Sequence, residues 1–178
     1  MWLLDLKYYL KSFLIIGELL IDDLSIDKMS PNKYAYSLKI EKKYKNFFNS
    51  FEYMVFKRWV GNYFDDELRF KENDQYLGNS NGPDSRSLKY IYTYIFKQNF
   101  FLGLDLHFIQ KGSGSVDDWP ENITSHQNFG YSKEQFPSEP ITFRYDTKFF
   151  LDLFIKSYRV RLEIVNFNDL KLILGHNF

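Results

Sequence analysis

The last nine residues, Leu170-Lys171-Leu172-Ile173-Leu174-Gly175-His176-Asn177-Phe178, decide our interpretation of the fold. Leu170, Leu172 and Leu174 put an apolar side chain at every second position, and Phe178 ends the segment on an aromatic residue. Because side chains of a β-strand alternate between two faces, this pattern predicts a strand with one apolar face. An amphipathic final strand that ends in an aromatic residue is typical of bacterial outer-membrane barrels. We therefore predict that the three leucines and Phe178 form the signal recognised by the outer-membrane barrel assembly machinery.

The same alternation recurs along most of the chain. Leu102, Leu104, Leu106 and Phe108, for example, alternate with Gly103, Asp105 and His107. Similar alternation predicts strands at Leu4 to Leu10, Lys33 to Glu41 and Leu88 to Phe96. Further strands are predicted at Phe13 to Leu24, Phe51 to Tyr63, Phe143 to Ile155, Tyr158 to Phe167 and Leu170 to Phe178. Most of these segments approach the ~9 to 11 residues that a tilted strand needs to cross the hydrocarbon core of a bilayer.

The predicted connections alternate in length. Tight turns are expected near Ser12, Lys45 to Asn49, Gln98-Asn99 and Ser157, whereas longer loops run through Ser25 to Asn32, Phe64 to Arg86 and Gly112 to Pro140. Outer-membrane barrels show this alternation, with short periplasmic turns and longer extracellular loops. The short Asn168-Asp169 connection is an exception, because it falls on the side of the long loops. The alternation still favours an up-and-down meander.

These patterns predict an all-β fold, an antiparallel up-and-down transmembrane β-barrel, present as a partial barrel of about eight or nine strands. We expect residues 1–178 to form a single outer-membrane β-barrel domain. Bacterial barrels usually have an even number of strands, so nine strands predict that the chain is the carboxy-terminal part of a larger barrel. Taking Leu4 to Leu10 as a lead-in segment leaves eight strands and permits a small closed barrel.

Composition narrows the possible functions. Lys plus Arg and Asp plus Glu both number 23, so the net charge of zero argues against a nucleic-acid partner. Aromatic residues make up 20% of the chain, and strands and membrane interfaces both favour them. Cysteine is absent, which excludes disulfides and cysteine nucleophiles. The first twenty residues contain four charges and resemble neither a signal peptide nor a membrane-spanning helix, which again predicts a truncated start.

A soluble alternative has the same alternation. A lipocalin-like barrel turns its apolar face inward around an apolar ligand and its charged face toward water. The period of two does not decide between the two orientations. The terminal aromatic residue, the alternating loop lengths and the aromatic content favour the membrane orientation.

Two blocks of sequence support a more specific interpretation. The first is Gly17 to Leu24 with Pro31-Asn32-Lys33-Tyr34, and the second is Leu77 to Ser85 followed by Gln110 to Ser115. In order and spacing, these blocks resemble the carboxy-terminal part of capsule assembly Wzi family outer-membrane proteins. The resemblance implies a bacterial outer-membrane protein that binds, anchors or helps export surface or capsular polysaccharide without catalysis or cofactors. Its expected partners are the lipid bilayer, the polysaccharide and the assembly machinery.

The candidate ligand-binding residues are Asp117, Asp118 and Trp119, in the longest predicted loop. Carboxylates accept hydrogen bonds from sugar hydroxyls, and an indole covers apolar C–H patches of a sugar ring. Packing within the loop explains the same residues without a ligand.

Other chemistry is weakly indicated. Asp22-Asp23 with Asp27 resembles part of a cation site but lacks the further ligands that calcium requires. Asp105 and His107 share the polar face of one strand and are expected to line the interior. The Ser80 to Asp84 segment is a turn former rather than a nucleophile loop. We therefore predict no catalytic residues and no metal site.

Overall fold

The computed structural model describes residues 2–24, 32–58, 60, 71–72, 75–76, 81–97, 99–114 and 136–176. Within these residues the fold is all-β. The strands are β1 (Trp2–Leu10), β2 (Phe13–Asp23), β3 (Lys33–Tyr44), β4 (Phe47–Phe56), β5 (Lys71–Glu72), β6 (Gln75–Tyr76), β7 (Ser85–Lys97), β8 (Phe100–Lys111), β9 (Thr142–Ile155), β10 (Tyr158–Val165) and β11 (Asp169–His176).

Nine of these strands form one antiparallel up-and-down sheet, in the order β1-β2-β3-β4-β7-β8-β9-β10-β11. The fold class and the strand count of nine are confirmed. β1 is paired with β2 from Trp2 to Leu10, so it is a full strand of the sheet rather than a lead-in segment. Within the described residues the sheet is not closed, which is consistent with a partial barrel. In the same residues, no helix has the length and apolar character needed to span a membrane.

Three details differ from the sequence prediction. Strand β4 ends at Phe56 rather than near Tyr63, because the chain turns after it, with Val60 N donating to Lys57 O at 3.3 Å. Strand β4 begins at Phe47 rather than Phe51, because the turn before it is confined to two residues and Lys45 adopts a left-handed φ of 48°. Its early residues pair with β3, from Tyr44↔Phe47 to Lys42↔Asn49. The long connection before β7 also contains the short β5–β6 hairpin, which was not predicted. Two-residue strands are too short to show a periodic pattern.

The two ends of the sheet differ in their connections. Tight turns at residues 11–12, 45–46, 98–99 and 156–157 lie at one end, here called the turn end. The longer connections and the short turn at 166–168 lie at the opposite end, here called the loop end. Apart from the 166–168 turn, the predicted alternation of connection lengths is therefore present.

The strand register separates the side chains into two faces. The apolar face includes the register row Leu38, Tyr53, Leu88, Phe108 and Tyr145, which crosses five neighbouring strands. In the regularly paired rows of this face the charged residues are Lys42, toward the turn end, and Arg86, toward the loop end. The opposite, charged face includes the row Lys39, Glu52, Lys89, His107 and Asp146.

The apolar face is the exposed side of the sheet. Leu106 is 39% exposed, Tyr145 67% and Leu172 65%. On the charged face, by contrast, Ser50 and Asp152 are only 4% and 5% exposed, although they belong to the same single-layered sheet. The charged face, whose side chains are the more buried, is here called the inner face, and the exposed apolar face is called the outer face.

Aromatic residues gather toward both ends of the apolar face. On β8, Phe100 and Phe108 flank three leucines, and on β3 Tyr36 and Tyr44 flank Leu38, Ile40 and, next to Tyr44, Lys42. Neighbouring rings form clusters, with Tyr94 and Phe96 centroids 4.6 Å apart at the turn end and Phe108 and Tyr145 centroids 4.9 Å apart toward the loop end. The outer face is thus an apolar band with aromatic residues along both borders.

Candidate functional site

The inner face carries a group of interacting charged side chains. In its register rows, positive and negative residues stand side by side, as in Glu52, Lys89, His107 and Asp146. Lys89 Nζ lies 3.6 Å from Asp105 Oδ2, and Lys39 Nζ lies 2.6 Å from Glu41 Oε1. This surface is polar but close to electrically balanced, so it suits hydrogen bonding to a neutral polar ligand or water better than concentration of one type of ion.

The most buried charged group on this face is Asp152. Its two carboxylate oxygens accept hydrogen bonds from Arg159 at 3.1 and 2.8 Å and from Arg161 at 2.8 and 2.7 Å. Arg161 also lies 3.6 Å from Glu163, measured from Nη1 to Oε2. Two bidentate guanidinium groups satisfy the lone pairs of one carboxylate, which compensates its removal from water. The cluster joins β9 to β10 and holds both arginines against the inner face of the sheet.

Gly103 makes room for an aromatic ring beside this cluster. A Cβ atom at Gly103 would lie 2.0 Å from Cζ of Phe150, its partner in the register, so the ring lies directly over the glycine. The guanidinium of Arg161 covers the same ring, with Cζ 4.3 Å from the ring centroid. Gly103, Phe150 and Arg161 therefore form a stack on the inner face, and a side chain at position 103 would displace it.

We expect Gly103→Ala to lower the free energy of unfolding by about 1 to 3 kcal/mol, because the added methyl group forces the Phe150 ring out of its place. The matched control is Gly17→Ala on the outer face, where the nearest atom to the new Cβ is Leu6 Cβ at 3.9 Å. This control should be neutral or stabilising by up to about 1 kcal/mol, because alanine suits a strand better than glycine. Urea titration of both variants tests the stack, and equal changes in stability would contradict it.

A second feature of the site lies at the loop end, around Asp84. Asp84 is fully buried and has a left-handed φ of 58°. Its carboxylate accepts hydrogen bonds from the backbone N–H groups of Gly114 at 2.9 Å and Ser138 at 3.0 Å, and from the Ser138 hydroxyl. Its own backbone carbonyl accepts the N–H of Gly112 at 2.8 Å. One carboxylate thus joins three segments that are distant in sequence.

The two glycines are required by this arrangement, here called the Asp84 junction. A Cβ atom at Gly112 would lie 2.1 Å from Asp84 Oδ2, and one at Gly114 would lie 2.5 Å from Arg58 Cγ. Lys111 Nζ also donates to the carbonyl oxygens of Pro83 and, at 2.7 Å, Gly114. The junction therefore holds the start of β7, the end of β8 and the segment before β9 in fixed positions.

The predicted site residues fall in different places. Asp117, Asp118 and Trp119 lie outside the described residues, as do Phe178 and Asp27. Leu170, Leu172 and Leu174 lie on the exposed apolar face of β11. Within the described residues, no group of three His, Cys, Asp or Glu side chains is placed to hold a metal ion.

The interior residues Asp105 and His107 lie on the inner face in adjacent rows. Asp105 is paired with Lys89 through Oδ2, and its Oδ1 is buried without a hydrogen-bond partner among the described residues. That oxygen can accept a hydrogen bond from a hydroxyl group or a water molecule in the interior.

The sequence did not reveal the role of Asp84. The sequence predicts a turn at Ser80 to Asp84 and a long loop that begins at Gly112. The structure brings the two segments together, and both belong to the blocks that carry the resemblance described above. Closely spaced glycines after a strand, together with an acidic residue before the preceding strand, are the only sequence signals of the junction.

The fold and the geometry of the inner face define an open, nine-stranded antiparallel sheet with an outer apolar and an inner charged face. No protein-family model matches the chain, and neither a curated protein nor a solved structure matches it.

Proposed function

We propose that the chain forms part of the wall of a bacterial outer-membrane β-barrel, with its apolar face on the lipid and its charged face lining a water-filled interior. The observation that carries this proposal is the exposed apolar face, which is rich in aromatic residues and has charged residues only toward its two ends, at Lys42 and Arg86. Outer-membrane barrels have such a band, about 25 Å tall between two aromatic girdles, and a polar interior. In water the same band would be a large apolar surface that favours association or aggregation.

We further propose that the protein binds, anchors or helps export a surface polysaccharide and does so without catalysis. Two observations support this function: the resemblance of Leu77 to Ser85 and Gln110 to Ser115 to capsule assembly proteins, and the near-balanced charge of the inner face. Sugars are neutral or weakly charged molecules with many hydroxyl donors, which such a surface can bind through hydrogen bonds. The Asp84 junction holds the stems of the long connection that carries Asp117, Asp118 and Trp119.

The soluble lipocalin-like alternative is less well supported. It requires the apolar residues to line the interior. In this sheet, Leu106 and Leu172 are 39% and 65% exposed, whereas Asp152 and Glu163 on the other face are buried.

The proposal is testable with single cysteines, because the chain contains none. Leu106→Cys and His107→Cys, which are neighbours on β8 and face opposite sides, would each be labelled with an environment-sensitive fluorophore and refolded into phosphatidylcholine vesicles. We expect spin-labelled lipid chains to quench the probe at position 106 and aqueous iodide to quench the probe at position 107. Addition of a capsular polysaccharide preparation should then change the emission at 107 but not at 106.

Each readout can fail separately. Lipid quenching of position 107 with iodide quenching of position 106 would contradict the membrane orientation and favour the soluble alternative. If lipid quenches position 106 and iodide quenches position 107 but polysaccharide changes neither signal, the membrane orientation would be supported and polysaccharide binding contradicted.

A further inference from the structure

The four tight turns at the turn end carry an unusual concentration of lysine. Residues 8–15, 42–49, 95–102 and 153–160, which contain these turns, include seven basic residues and no Asp or Glu. The basic residues are Lys11, Lys42, Lys43, Lys45, Lys97, Lys156 and Arg159, and all but the half-buried Arg159 are exposed. The chain as a whole has equal numbers of basic and acidic residues, so this distribution is a local property of one end of the sheet.

The fold places these turns side by side. Ser12 O accepts a hydrogen bond from Lys43 N at 3.1 Å, Asn46 O from Ile95 N at 2.8 Å, and Asn99 O from Phe154 N at 2.8 Å. Each turn is therefore bonded to the strand pair of the next turn, and the lysines form one continuous basic rim along the border of the sheet.

The backbone gives an independent indication that the charge matters. Lys11, Lys45 and Lys156 occupy left-handed positions in three of the four turns, with φ of 52°, 48° and 55°. Glycine and asparagine adopt this conformation with the least strain, and turns at such positions favour them. At the loop end, the turn at 166–168 has left-handed backbone at Asn166 and at Phe167, with φ of 50° and 61°. Local backbone preference therefore does not explain why lysine occupies the left-handed position in three of the four turns at the turn end.

The rim adjoins the aromatic border of the outer face. Lys42 Nζ lies 4.7 Å from the centre of the Phe13 ring, and Lys45 Nζ lies 5.3 Å from the centre of the Tyr44 ring. In a membrane barrel, aromatic residues at this border sit at the level of the lipid headgroups, and lysines extend from the apolar boundary toward them. The ammonium groups are therefore at the height of lipid phosphates.

We propose that the basic rim binds the headgroups of anionic phospholipids in the leaflet at the turn end. This inference rests on the membrane embedding proposed above. Positive side chains near an anionic bilayer surface are attracted to it electrostatically, and the attraction weakens with salt. The left-handed lysines are exposed in three of the four turns, so their charge is accessible to the headgroups.

The test compares folding into vesicles of phosphatidylcholine alone with folding into phosphatidylcholine mixed with phosphatidylglycerol. The turn variant combines Lys11→Asn, Lys45→Asn and Lys156→Asn, which suits the left-handed backbone. The control variant combines Lys39→Gln, Lys89→Gln and Lys148→Gln on the inner face, which removes the same charge. The measured quantity is the ratio of the folding constants in the two lipids, obtained from urea titrations at low salt.

We expect the folding constant of the wild type to be higher in the vesicles that contain phosphatidylglycerol. The turn variant should reduce this preference by about fivefold per lysine, and so by up to about 100-fold. The control variant should retain the preference. High salt should remove the wild-type preference. An equal preference in the turn variant and the wild type, or no preference in the wild type, would overturn the proposal while leaving membrane embedding intact. A wild-type protein that folds into neither vesicle would contradict both.

Discussion

Leu104→Arg is expected to destabilise the protein in lipid vesicles by about 2 to 4 kcal/mol, the cost of a basic side chain near the middle of the lipid-facing surface of a barrel. Leu104 lies on the outer face of β8, paired with Tyr92 on one side and Phe149 on the other. The aromatic residues Phe100 and Phe108 lie four residues away in either direction, so the arginine cannot easily extend to water at either border. Urea titration in phosphatidylcholine vesicles measures the loss.

The matched control for Leu104→Arg is Lys39→Ala on the inner face of β3. Lys39 pairs with Glu41, and the two side chains are 34% and 21% exposed, so the pair is accessible to water. Exposed ion pairs of this kind contribute about 0 to 1 kcal/mol. Equal losses for the two variants would contradict the assignment of the apolar face to lipid.

Asp84→Ala is expected to reduce the free energy of unfolding by about 2 to 6 kcal/mol. The substitution leaves the buried N–H groups of Gly114 and Ser138 without their acceptor, and each unsatisfied buried donor costs about 1 to 3 kcal/mol. Alanine also tolerates the left-handed backbone of position 84 poorly. Hydrogen exchange at Gly114 and Ser138, together with urea titration, would show whether the loss begins at the junction.

Two further variants of the same experiment separate the junction from a general effect of lost charge. Asp84→Asn tolerates the left-handed backbone and keeps one acceptor oxygen, so its loss should be intermediate. Asp146→Ala removes a carboxylate whose partner, Arg144, is 71% exposed at its side chain, and should cost no more than about 1 kcal/mol. Stability of Asp84→Ala close to that of the wild type would show that the junction is not a structural clamp.

Several features of the fold were predictable because they depend on local sequence. Each strand of the nine-stranded sheet was predicted from the alternation of apolar residues, since side-chain direction along a strand follows from position alone. The tight turns at 11–12, 98–99 and 156–157 were predicted for the same reason. The boundary before β4 was misplaced because Asn49 interrupts the apolar alternation between Phe47 and Phe51, so that residues 45–49 were assigned to a turn.

The candidate site was less predictable. The inner position of Asp105 and His107 followed from alternation, but their actual neighbours, Lys89 and Asp146, come from other strands. The polysaccharide-binding role of Asp117, Asp118 and Trp119 stays a prediction.

By itself, the sequence determined which residues share a face and where most strands begin and end, because a period of two is a property of the extended backbone. Only the tertiary structure decided that the apolar face is the outer one, that Asp84 meets Gly114 and Ser138, and that lysines from four separate turns form one rim. These features depend on which face of the assembled sheet is buried and on contacts between segments far apart in the chain. Alternation along a single strand contains no information about either.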